Sequence, residues 1–238
     1  SSLLHTIYKN LTTLIIGKVY TAKDLGFYSR GESLSSFPST NITNIIQTVT
    51  YPLLSKIQDD DECLINSYRK LISITSLVVF FVLSLVAALA KPLVLTLLTD
   101  KWLPAVPYVQ IFCFTYMFDH ICSLNLNLLY VKGYSNLVLR LEIVKKTISI
   151  MMIIAAIPLG VIAVCISRAL YTQIAVFINT YYSGKLFNMG YTKQLKDYMS
   201  YFICSILSVI PAYLISYIEM HSILQLGLGA LVSLFLYL

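Results

Sequence analysis

Four groups of residues have types and spacing that could do chemistry. Arg168 is the eighth residue of the run VIAVCISRALYTQIAVFINTYY (161–182), which is otherwise almost free of charge. A lone guanidinium in such a run is costly in hydrocarbon and must face protein or water. It is suited to hold an anion such as a diphosphate, to pair with Asp119, or to snorkel toward the nearer surface. Asp119 and His120 lie in a second apolar run. Being adjacent, they point about 100° apart on a helix, so they do not act as one tight pair. A buried acid there suits a proton or sodium carrier, or a counter-ion for Arg168 or Lys9. Lys9, Lys18, Lys23 and Arg30 gather near the first span and its exit, either as an anion-attracting vestibule or as headgroup contacts.

The fourth group is a stretch rather than a point. Between Leu34 and Ser55, hydroxyl and amide residues such as Ser35, Ser36, Ser39, Thr40, Thr43, Asn44 and Gln47 alternate with Phe37, Ile42, Ile45, Val49 and Leu53, and Pro38 and Pro52 bracket the polar part. Polar groups in a bilayer need partners, because no water serves them there. Such a helix either glues neighbours together or lines a path for something polar.

The chain contains no GxSxG, P-loop or HExxH, and no pair of embedded carboxylates spaced for acid–base work. No cofactor motif is present. The five cysteines form no CxxC and read as small core residues rather than disulfides or metal ligands. The acidic run Asp59–Glu62 lacks EF-hand spacing and reads as a solvated loop or the first turn of a helix.

The elements that must position these groups are membrane helices. Of 238 residues, 58% are hydrophobic and only 12% charged, against about 25% charged in a soluble domain, and the mean hydropathy is +0.77. A crossing needs about 20 apolar residues, which leaves room for roughly eight. The expected spans are Leu3 to Tyr20, the polar stretch, Leu71 to Leu98, Ala105 to Tyr130, Leu137 to Pro158, Val161 to Tyr182, Tyr198 to Ile218, and Ser222 onward. Residues 21–33 and 56–70 are expected as hydrophilic connections, the latter with the acidic run. Glu142 and Lys146 have the i,i+4 spacing of a helix-face pair, and Trp102 sits where an interfacial aromatic anchor belongs.

The net charge of +6 is spread along the chain and reads as an orientation signal rather than a nucleic-acid footprint. Loops 56–70, 131–146 and 183–197 carry ten basic residues, against five on the opposite side, which assigns them to the cytoplasm. The sequence starts without Met and stops in an apolar run, which reads as a fragment of a longer protein, cut at both ends.

Five segments occur in order: IIGKVYTAKDLGFYSRGES (15–33), VTYPLLSKIQDD (49–60), TDKWLPAVPYVQIF (99–112), LNLNLLYVKGYSNLVLRLEIVKK (124–146) and GYTKQLKDY (190–198). Together they resemble the polysaccharide-transporter, or Wzx-like oligosaccharide flippase, family of the multidrug and oligosaccharidyl-lipid exporter superfamily. The resemblance is to that family's C-terminal half, with the N-terminal half absent, and implies an all-α integral membrane protein with a MATE-like lobe. Residues 1–183 would form a six-helix bundle and 184–238 an appended helix pair. It implies passage of a polyprenyl-diphosphate-linked oligosaccharide across the bacterial cytoplasmic membrane, for a capsule or lipopolysaccharide, without covalent chemistry. Arg30 matches the arginine of the family's LGxYxRGE-like stretch and Lys18 the lysine of its IIGK. Tyr134-Ser135-Asn136 departs from the Arg-Ser-Asp of relatives.

The residues expected to meet substrate anions in a cationic cavity are therefore Arg168, Arg30, Lys9 and Lys18, with Asp119 for ion coupling. A drug–cation antiporter of the same fold would require an acidic cavity. A membrane-embedded glycan polymerase or glycosyltransferase would require a large external loop or cytoplasmic carboxylates, for which only Asp59–Asp61 offers material. A purely scaffolding half would not need the polar spans.

Overall fold

A computed structural model describes residues 12–218 and 220–238. Lys9 lies outside the described residues. Helix α1 covers 12–19 and is followed by α2 (Ala22–Lys56), α3 (Asp61–Ala88) and α4 (Ala90–Leu97). After a 3-10 turn (Asp100–Ala105) come α5 (Val106–Tyr116), α6 (Asp119–Val131), α7 (Ser135–Ala156), α8 (Val161–Phe187), α9 (Tyr191–Ile215) and α10 (Ser222–Tyr237). The described residues contain no strand, and the protein is an all-α polytopic membrane bundle.

α3, α8 and α9 are long and apolar enough to cross a membrane by length and composition, and α10 is shorter. α2 and α7 are long enough but carry polar and charged residues. At 1.5 Å per residue the 35 residues of α2 extend roughly 52 Å. Two expected connections are thus helix. Residues 22–33 are the first turns of α2, because Thr21 caps it, accepting from the Asp24 amide at 3.2 Å, and Gly26 and Gly31 are carried within it. The acidic run opens α3. Asp60 is its cap, accepting from the Cys63 amide at 3.0 Å, and Asp61 and Glu62 occupy the positively polarised first turn. Pro38 and Pro52 lie inside α2, each costing one backbone hydrogen bond.

Two expected spans are divided. Leu71 to Leu98 breaks at Leu89, between α3 and α4. Ala105 to Tyr130 breaks at Met117–Phe118, between α5 and α6, with no proline or glycine to announce it. At that break Phe118 stands edge-on to Phe80 at 5.5 Å and against Phe202 at 5.7 Å, so tertiary packing accompanies the interruption. α8 continues past residue 183 to Phe187, and α9 starts seven residues before the expected Tyr198.

The larger core follows from one face of α3, on which buried residues recur at helical spacing. Leu64, Tyr68, Ile72, Phe80 and Leu83 are all fully buried and pack with Val109, Phe118, Leu124 and Tyr198 from α5, α6 and α9. A second cluster gathers Tyr28, Phe112, Ile153 and Cys165 from α2, α5, α7 and α8. α9 packs along α3, and α10 along α9 and α4. Arg69 on α3 grips Asp197 on α9 through two bonds of 2.6 and 2.9 Å.

Candidate functional site

The polar residues of α2 divide between two faces, one that glues and one that lines a cavity. On the first, Gly31 lets α5 approach so closely that a Cβ there would fall 2.5 Å from Tyr108 Cβ. One turn on, Ser35 Oγ lies 3.0 Å from the Gly31 carbonyl and 2.9 Å from that of Val109 on α5. On the second, Glu32, Ser36, Thr40, Thr43 and Gln47 recur at helical spacing and line a continuous polar cavity.

The cavity has two chambers that share Thr40, Asp119, Lys146, Tyr171 and Thr172. The narrow one, about 190 Å³, reaches Glu32 and Arg168. The wide one, about 680 Å³, extends past Asn44, Gln47, Tyr130 and Glu142. Those residues approach the ends of α2, α6 and α7 that join the basic loops, so the wide chamber lies on the side those loops assign to the cytoplasm.

Arg168 closes the narrow end. Its partner is Glu32 on α2, at 2.9 Å, with side-chain exposures of 12% and 9%, rather than Asp119. Arg168 also donates to the Tyr28 hydroxyl and lies over the Phe112 ring at 4.9 Å from its centroid. Tyr116 donates to the same Glu32 oxygen at 3.1 Å. The site thus joins α2, α5 and α8.

At the wide end, Lys145 is buried on α7 and pairs with Glu142 at 2.5 Å, an i,i+3 contact, where the sequence suggested Glu142 with Lys146. Asp119 faces both chambers at the α5–α6 break. His120 turns away into the core, where Nε2 is 2.9 Å from Ser76 Oγ and the ring lies edge-on to Phe80.

The expected site residues are not brought together. Arg30 is exposed and lies over Trp102 at 5.5 Å, and Lys18 is exposed on α1. Neither lines the cavity. Nor is the described cavity cationic. Its charges are Glu32, Asp119 and Glu142 against Arg168, Lys145 and Lys146. Glu32 was missed because it fell in a stretch read as a connection, and Lys145 and Lys146 were read as charges at the start of a span and not as cavity residues. Their spacing with Ser36 and Ser149 on the same helix faces was the available signal. Among the described residues no His, Cys, Asp or Glu cluster is arranged to hold a metal.

Residues 1–107 match the family described as "Polysaccharide biosynthesis protein", a segment that includes all of α2 and Glu32. The chain is 33% identical over 149 residues to an uncharacterized membrane protein in the cps region of Klebsiella pneumoniae, covering 63% of this chain and 31% of that one. It is 28% identical over 112 residues to the lipopolysaccharide biosynthesis protein WzxC of Escherichia coli K12, covering 47% and 23%. The chain is thus similar to a bacterial protein of lipopolysaccharide biosynthesis and to a membrane protein of a cps region. A further relative is the teichuronic acid biosynthesis protein TuaB of Bacillus subtilis 168, at 22% identity over 137 residues, 58% of this chain and 28% of that one. The matches thus span 23% to 31% of these relatives' own length. No solved structure matches. With its apolar helices and these relatives, the protein is a multi-pass protein of the bacterial cytoplasmic membrane.

Proposed function

We propose that this chain is part of a transporter that moves polyprenyl-diphosphate-linked oligosaccharide units across the cytoplasmic membrane for surface polysaccharide assembly. One observation carries the reading: a continuous, charge-bearing cavity inside a membrane bundle, lined along one face of α2. Sugars offer hydroxyls at many angles, and the Ser, Thr, Asn and Gln groups of α2 both donate and accept. The diphosphate needs cations, and Lys145 and Lys146 supply them in the wide chamber. Arg168 is committed to Glu32 in this conformation and becomes available only if α2 and α8 separate, which would couple substrate arrival to helix movement. Asp119, at the junction of the chambers, is the acid placed to exchange a proton or sodium ion. Lys18 and Arg30 remain candidates for attracting the anion at the opposite membrane face, and Lys9 remains a candidate outside the described residues. Transport breaks no covalent bond, so this reading requires no enzyme chemistry. Its other participants would be the bilayer and the remaining part of a longer protein.

The test is leaflet exposure of a fluorescent polyprenyl-diphosphate oligosaccharide in proteoliposomes. Wild type should expose the lipid without changing its length, and Lys145→Ala with Lys146→Ala should slow exposure at equal reconstituted protein. Lengthening or consumption of the lipid would overturn the reading in favour of an enzyme.

A further inference from the structure

On the outer surface, away from the cavity, α8 carries an aromatic ridge. Phe177 and Tyr181 are 57% and 56% exposed, and an apolar groove lies on each side of them. The groove against α7 has a volume of about 400 Å³, is walled by Leu137, Leu141 and Val144, and includes Arg140. The groove against the start of α9 has a volume of about 430 Å³ and includes Lys185. Its floor is bare backbone, because Gly184 and Gly190 meet there and a Cβ on Gly184 would fall 2.7 Å from Gly190 Cα.

Both grooves lie where α7 begins and α8 ends, next to the turns at 132–134 and 188–190. That is the side the basic loops assign to the cytoplasm. No Asp or Glu lines either groove. Among the described residues, neither Arg140 nor Lys185 takes part in an ion pair. Both are exposed.

We infer that this surface is a docking site for a two-chain anionic phospholipid of the cytoplasmic leaflet. Its phosphate would sit between Arg140 and Lys185, with one acyl chain in each groove astride the Phe177–Tyr181 ridge. Cations in a carboxylate-free setting select an anionic headgroup over a zwitterionic one, and basic pockets between membrane helices on the cytoplasmic side hold such headgroups. Two grooves about one ridge match two chains, whereas a single prenyl chain would leave one groove empty. Such a lipid would clasp α7 and α8 to the start of α9 from outside.

The experiment is native mass spectrometry of the protein in detergent, titrated with phosphatidylglycerol and with phosphatidylethanolamine of the same acyl chains. Wild type should favour phosphatidylglycerol. Arg140→Gln and Lys185→Gln should each lower that affinity roughly fivefold and together roughly thirtyfold, leaving the two lipids alike. Lys193→Gln, outside both grooves, should leave it unchanged. Circular dichroism and melting in the same detergent check that each variant is folded, and either single variant serves if the double does not fold. Equal binding of the two lipids to wild type would overturn the proposal. So would unaltered phosphatidylglycerol affinity in the folded variants, or displacement of phosphatidylglycerol by an equimolar single-chain polyprenyl phosphate.

Discussion

The two ends of the cavity hold their charges differently. At the narrow end the Arg168–Glu32 pair spans two helices, α8 and α2, and is braced by Tyr28, Tyr116 and Phe112. At the wide end the Lys145–Glu142 pair lies on successive turns of one helix. A pair between helices resists their separation. A pair within one helix can open to a ligand without moving any backbone. Under the proposed function the narrow end would work as a clamp and the wide end as a receptor, although both are built from a base and an acid at hydrogen-bond distance.

The comparison breaks most sharply at Glu32. Removing one member of a buried pair strands the other, at a cost of about 3–5 kcal/mol. Arg168→Ala should lower the melting temperature and the yield of folded protein in detergent. Arg168→Met combined with Glu32→Leu should recover most of that stability, since apolar replacement of a whole buried pair is often neutral or better. The recovered double variant should still fail to expose substrate, if separation of α2 and α8 is a working step. Stability measured beside transport separates the two effects.

The glue face of α2 comes next. Gly31→Ala puts a methyl against Tyr108 and should cost about 1–3 kcal/mol by overpacking, read as a lowered melting temperature. Ser36→Ala, on the cavity face, should leave melting nearly unchanged. A distinct effect of similar size is expected at Asn125 on α6. Its amide bonds both ends of Gln194 from α9, at 2.9 and 3.0 Å, and accepts from Ser183 on α8 at 2.6 Å. Asn125→Leu should cost about 1–3 kcal/mol by leaving Gln194 Oε1 without its donor, while Gln194 Nε2 keeps the Met189 carbonyl. Arg69→Ala, at the half-exposed pair with Asp197, should be the mildest of the changes that break a contact, within about 1 kcal/mol.

The helical membrane class and the polar character of α2 were legible because composition and pattern act locally. The question of whether α2 glues or lines was also well posed, and the answer is both, on faces offset by a few residues: Ser35 meets Val109, whereas Ser36 meets the cavity. The pairing of Arg168 was not legible. Glu32 lies 136 residues away in a stretch whose charges and glycines suggested a loop, and a sequence without its tertiary contacts does not reveal that a polar turn is the buried start of a helix. The α5–α6 break was hidden for a similar reason, since Tyr-Met-Phe-Asp-His has no helix breaker and its ring contacts come from α3 and α9. Adjacent Asp119 and His120 do separate as helical geometry requires, one to the cavity and one to the core.

The central claim is that the Ser/Thr/Gln face of α2 borders a water-filled substrate path while the Phe37–Ile45–Val49 face does not. The most direct measurement is maleimide labelling in intact membranes, with Thr43→Cys, Gln47→Cys and Ile45→Cys placed singly in a background lacking the five native cysteines. A thiol reacts as its thiolate, which forms in water and not in hydrocarbon. The account predicts rapid labelling at 43 and 47 that blocks lipid exposure, and little labelling at 45. Equal labelling at all three positions, or labelling at 45 alone, would contradict it.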